Sequence, residues 1–210
     1  MRDTCSYELL AQQPQEKWCD ICHIQFSSFN AKDKEQFVSE EDALWAGLAA
    51  RVIRVALERK GVSYAQLADT LSSIGVKETE RSLISRVSRG TVKLTLLLQI
   101  IEVTGALPPS LWASVVRTPG AWEGRSKAVV AIELAQRPWV TLPKLAALLT
   151  DIGVDIDEAA LTSQLSTGTM TLSLFLQCIA VLGSSSLDRY IDFPDLASAV
   201  LATRGERTTN

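Results

Sequence analysis

Seven side chains between Lys77 and Lys93 have the types and spacing to hold a polyanion: Lys77, Arg81, Ser82, Ser85, Arg86, Arg89 and Lys93. Ser82, Ser85, Arg86 and Arg89 fall at i, i+3, i+4 and i+7, so a helix through them places all four on one side. Guanidinium groups pair with guanine edges, and hydroxyl and ammonium groups hold phosphates. A short helix with that face suits the major groove of double-stranded DNA. A second constellation lies in W-C-D-I-C-H, Trp18–His23. Cys19 and Cys22 are two residues apart, a loop that lets both thiolates reach one tetrahedral zinc ion. Cys5 is a candidate third ligand and His23, the only histidine, a fourth. The same residues fit a c-type haem attachment pattern, and free or buried thiols are the alternative to both.

The elements that must position the basic face are helical. Ser63 and Gln66 form a capping-box pair at a helix start. Leu67, Ala68, Leu71 and Ile74 follow at helical spacing, and Gly75 fits the C-terminus. A second helix is expected from Thr79, with Leu83, Ile84 and Val87 inward and Gly90 as its stop. Leu94–Val103 is apolar nearly all round, as in a helix covered on several sides. Upstream, Leu44–Lys60 reads as an amphipathic helix with Leu44, Leu48, Val52, Val55 and Ala56 on its stripe. Arg51, Arg54, Arg59 and Lys60 lie on its other faces.

S-Y-A-Q-L-A, then S-L-I-S-R-V-S-R-G, then an apolar helix ending V-T-G, resembles the helix-turn-helix of the Cro and phage-repressor (XRE) type. The fuller pattern G-V-S-Y-A-Q-L-A…I-G-V-K-E-T-E…R-G also resembles a bacterial domain family of unknown function. The resemblance runs from Trp45 to Gly105. It implies that the second helix of the motif, carrying Ser82, Ser85, Arg86 and Arg89, enters the DNA. The link Gly75-Val76-Lys77-Glu78 is longer than the tight turn of the repressor family.

The stretch occurs twice. Val62–Gly105 aligns with Val140–Gly183 at a constant offset of 78, with 20 of 44 positions identical, and the preceding helices align at 77 with Trp45 on Trp122. This is an internal duplication. The identities are structural: Leu67, Leu71, Ile74, Gly75, Leu83, Gly90, Leu94, Leu98 and Gly105 all recur. Thr79 recurs as Asp157, another good N-cap. The differences fall on the basic face, where Lys77, Arg81, Arg86, Arg89 and Lys93 become Asp155, Ala159, Gln164, Thr167 and Thr171. Phosphate attraction scales with the number of cations engaged, so the second copy is expected to serve self-association or support. A residual polar face remains at Ser163, Gln164 and Thr167.

The 210 residues carry a net charge of −3, unevenly spread. Trp45–Ala106 holds nine Lys and Arg against five Asp and Glu, whereas Met1–Leu44 holds four against nine. No run is long and apolar enough for a membrane span, and no secretory signal is visible, so cytoplasmic residence and no membrane partner are expected. Catalysis is not indicated. One histidine cannot supply a multi-histidine metal centre, and Asp155, Asp157 and Glu158 cluster at a helix start, where carboxylates cap. The tryptophans at 45, 112, 122 and 139 sit among apolar residues and read as core.

The sequence therefore predicts an all-α protein. Residues 1–42 form an acidic arm and 43–106 a helix-turn-helix-like repeat. Residues 107–120 are a linker, with a short helix around Trp112. Residues 121–186 form the charge-depleted repeat, and 187–210 a final helix and tail. The expected function is a DNA-binding regulator, working as a homodimer, without a cofactor beyond a structural zinc. The alternative is a protein-interaction module, an adaptor or inhibitor, on the same scaffold.

Overall fold

The computed structural model describes residues 31–205, with side chains from Asp42 to Arg204. It is all-α. The first repeat comprises α1 (Ala31–Glu58), α2 (Tyr64–Ser73), α3 (Glu80–Ser88) and α4 (Leu94–Val103). A 3-10 turn over Ser110–Trp112 runs into α5 (Ala113–Val116). The second repeat comprises α6 (Trp122–Ala135), α7 (Leu142–Asp151), α8 (Glu158–Thr167) and α9 (Leu172–Val181), and α10 (Phe193–Gly205) follows. Helix α1 begins at Ala31 rather than Leu44, so residues 31–42, read above as arm, extend it. No Gly or Pro interrupts the chain between Ala31 and Ala46. None of the described helices is long and apolar enough to cross a membrane.

Local chemistry sets the helix starts. The Ser63 hydroxyl accepts from the Gln66 backbone while the Gln66 side chain accepts from the Ser63 N–H, the reciprocal capping box. Thr79 and Asp157 cap α3 and α8 by accepting from Ser82 N and Ala160 N.

The two repeats do not fold side by side. Helix α1 packs on α9 and α6 packs on α4, so the first helix of each copy covers the last helix of the other. Between them Lys93 pairs with Thr171 in an antiparallel bridge. Leu94 N donates to Met170 O at 3.0 Å and Leu172 N to Val92 O at 2.8 Å. All three pairings link residues about one repeat apart in reciprocal fashion. Residues meet their own counterparts only near a two-fold axis, so the bridge marks a pseudo-two-fold inside one chain. One continuous core results, with Trp45, Trp112 and Phe175 its largest fully buried side chains. Trp112 and Phe175 meet edge-on at 5.5 Å. Residues Leu94 to Ile101 of α4 are all buried, as its apolar circumference requires.

Three apolar side chains depart from the inward positions expected of them. Ile84 is 43% exposed and Ile74, the C-cap of α2, 42%, although the Ile74 counterpart Ile152 is buried. Trp139 is 70% exposed. It lies in the link from α6 to α7, residues 136–141, which is one residue longer than the link 59–63 of the first repeat.

Glycine is demanded where α3 and α8 end. Gly168 has φ +72°, and a Cβ there would lie 2.2 Å from the Glu123 carbonyl oxygen, in the backbone of α6. Gly90 meets Ala46 in the same way. Gly75 has φ +81° but open space around it. Gly75→Ala should therefore cost only the left-handed strain, roughly 1–2 kcal/mol. Gly168→Ala should cost about 3 kcal/mol or more, because backbone must move. Denaturant titration of both variants measures the difference.

Candidate nucleic-acid interface

Helix α3 buries Leu83 and Val87, half-buries Ser82, Ser85 and Arg86, and exposes the remainder. Arg81, Ile84, Ser88 and Arg89 are exposed and Ser85 half-buried. Arg81, Ile84, Ser85 and Ser88 stand at i, i+3, i+4 and i+7, and they form the true outer stripe. Arg81, Ile84 and Ser85, with Glu80, line a shallow depression of about 270 Å³. Neither Ser88 nor Ile84 is on the face expected from sequence, which places Ile84 inward. Ser88 follows from extending the periodicity one turn past Ser85, whereas Ile84 was hidden by its apolar type.

Of the seven expected residues, Ser85 is half-buried on the outer stripe and the other six divide into two groups. Lys77, Arg81, Arg89 and Lys93 are exposed, with no ion pair to any side chain among the described residues. Arg86 instead forms an ion pair with Glu78, and Ser82 Oγ donates to the other oxygen of the same carboxylate at 2.9 Å. Both side chains are half-buried there. Glu78 belongs to the link between α2 and α3, so Arg86 ties the link to the helix. This link, residues 74–79, is longer than the three to four residues of a helix-turn-helix turn. It is held by bonds from the Gly75 and Val76 N–H groups to Ser72 O and Leu71 O.

Lys93 sits at the bridge itself, beside Thr171, so the exposed cations extend from α3 to the pseudo-two-fold axis. On and beside the symmetry-related helix α8, Asp155, Ala159 and Thr167 are exposed and Gln164 and Thr171 half-buried. The Thr171 hydroxyl is occupied in capping α9, accepting from Leu174 N at 3.2 Å. The second copy thus presents Thr162, Ser163, Ser166 and Thr167 where the first presents Ile84, Ser85, Ser88 and Arg89.

Other basic residues have structural work. Lys60 Nζ donates to Gly105 O at 2.8 Å, and its counterpart Arg137 donates to Gly183 O at 3.2 Å. Each cation therefore caps carbonyls at the end of α4 or α9. Arg51 pairs with Asp195 of α10 at 2.6 Å. Arg125 lies 4.2 Å above the Trp122 ring and donates to Val116 O.

The expected metal ligands Cys5, Cys19, Cys22 and His23 lie outside the described residues. Cys178 is buried in α9, and burial pushes its thiol up to about 12. It stays protonated at neutral pH and is neither a ready nucleophile nor a ready ligand.

No curated protein matches this chain, and no solved structure does. A family model matches it twice, over residues 45–108 and 122–187, once for each structural repeat. The chain belongs to that family, described as Domain of unknown function (DUF6471).

Proposed function

We propose that the protein is a DNA-binding regulator that reads duplex DNA with α3. The observation that supports this most is the asymmetry of charge across a symmetric fold. Lys77, Arg81, Arg89 and Lys93 are exposed on and beside α3, and their counterparts Asp155, Ala159, Thr167 and Thr171 carry no positive charge. A capped, basic helix projecting from a rigid core is the geometry of major-groove readers of the helix-turn-helix type. Arg81 and Arg89 are the base-reading or phosphate-holding candidates, and Ile84 suits a thymine methyl group.

Two-fold repressors take their second helix from a partner subunit and read half-sites about one DNA turn apart. In this chain the second repeat takes the place of that subunit and holds α3 in position. The preferred site is therefore one half-site with an unsymmetrical flank. Selection of bound duplexes from a random pool, near 0.15 M salt, should enrich a short non-palindromic motif. No enrichment above non-specific binding would reject the proposal.

A second reading, a protein-interaction module, draws support from Ile74, Ile84 and Trp139, all large, apolar and exposed. It predicts no enriched motif in the same selection.

A further inference from the structure

The pseudo-two-fold relates two sites whose contents differ. In the second repeat Glu133 is 2% exposed, at the end of α6. Its carboxylate accepts from Trp112 Nε1 at 2.6 Å, from Ser184 Oγ at 2.7 Å and from Ser186 Oγ at 2.5 Å. A buried carboxylate so surrounded has its lone pairs satisfied. Trp112 follows α4, and Ser184 and Ser186 follow α9, so three segments converge on one acid.

The symmetry mate of this site is a cleft of about 160 Å³, lined by Ala56, Arg59, Lys60, Leu107, Arg189 and Tyr190. Alignment of the repeats puts Ala56 on Glu133, Lys60 on Arg137 and Ala106 on Ser184, and the same offset of 78, carried past the repeats, pairs Trp112 with Tyr190. The matching bonds from Lys60 to Gly105 O and from Arg137 to Gly183 O relate one edge of the two sites in space. The first repeat has therefore lost the acid and kept a hydrogen-bonding aromatic residue beside it. In addition, Gln136 and Leu111 are replaced by Arg59 and Arg189. Three cations line the cleft, and none of its lining residues is acidic.

Arg59 and Arg189 are both exposed and unpaired among the described residues. Both lie close enough to the Tyr190 hydroxyl to act against the rise that burial gives its pKa. That hydroxyl donates to Leu107 O at 3.1 Å and can rotate toward a ligand. Lys60 uses one of its three donors on Gly105 and has two left.

We infer that this cleft binds a small organic carboxylate, whose charged group lies between Arg59 and Arg189 in the symmetry counterpart of the Glu133 cluster. Arg59 and Arg189 pair with it, Lys60 adds a donor, and the small side chains Ala56 and Ala106 line the cleft beneath. The volume is below the 300–1,000 Å³ usual for drug-sized ligands, so the occupant is of the size of acetate to benzoate. The cleft lies at the C-terminal end of α4, about 15 Å from Lys93 at the other end of that ten-residue helix. It is thus separate from the α3 face.

The test uses the whole chain, in chloride buffer of constant ionic strength, titrated with sodium benzoate while Tm is followed. Benzamide is the uncharged control and sodium phosphate the inorganic anion. A ligand that binds only the folded state raises Tm with its concentration. Benzoate should raise Tm saturably and benzamide should not. Arg59→Gln combined with Arg189→Gln, both at the surface, should weaken the benzoate response at least tenfold. The inference is overturned if benzoate gives no shift, if the double variant responds undiminished, or if phosphate binds as tightly as benzoate. No DNA is involved, so failure here leaves the DNA proposal standing, and the reverse.

Discussion

Replacing Arg81, Arg89 and Lys93 together with alanine is expected to lower duplex affinity by roughly 10²–10³ near 0.1 M salt. Each phosphate contact contributes about 0.9 to the slope of log affinity against log salt, which amounts to about tenfold per contact at that concentration. The three side chains are exposed and carry no structural ion pair, so folding should be unchanged. The salt slope should become shallower by about 2.7 if all three neutralise phosphates. Arg86 is different. Its charge is compensated by Glu78, so Glu78→Gln should release it to the solvent face and tighten binding, by up to about tenfold if one contact is gained. Fluorescence anisotropy at three or four salt concentrations reads both effects. An unchanged slope in the triple variant would show that the α3 surface does not meet phosphate.

The rotation of this face relative to its sequence reading has a simple physical origin. Helical periodicity puts Ser82, Ser85, Arg86 and Arg89 on one side, but it cannot see the link that precedes the helix. Glu78 lies outside the helical register of α3 and captures Ser82 and Arg86 from one side, which leaves Arg81, Ile84, Ser85 and Ser88 as the outward stripe. Ile84 was placed inward because it is apolar. Helix α3 is short, and Leu83 and Val87 already fill its buried side.

The legible features were the local ones. The capping residues Ser63, Thr79 and Asp157, the glycine stops and the wholly apolar α4 each carry their cause within a few residues of themselves. The duplication was equally plain, and the double family match agrees with it. The exchange of partners was not legible. An apolar stripe on α1 says that the stripe is covered, and nothing in its spacing says that α9 covers it. The Glu133 cluster was hidden for the same reason. Trp112, Glu133 and Ser184 belong to three segments, and Ala56 opposite Glu133 means nothing until the fold brings Arg59, Arg189 and Tyr190 around it.

Cutting the chain in the linker at Pro119 and purifying the halves separately should give two fragments without stable monomeric folds. Helix α1 is covered by α9, and α4 by α6, so a lone repeat exposes two of its most apolar surfaces. On the first repeat, Ile53, Leu57, Leu97, Ile100 and Ile101 are each 3% exposed or less in the whole chain. Uncovering a Leu or Ile side chain costs about 1.5–3 kcal/mol. A few such losses equal the 5–15 kcal/mol by which a domain is stable. Mixing the halves should restore helical circular dichroism and a single cooperative transition, because the α1–α9 and α4–α6 contacts can re-form between fragments. The first half alone can satisfy the same surfaces only by pairing with a second copy, across the axis now occupied by the Lys93–Thr171 bridge. Any folded material it forms should therefore be a dimer that unfolds on dilution. A first repeat that sediments as a monomer and melts cooperatively would contradict the reciprocal packing, and with it the view that the second repeat exists to hold α3 in place.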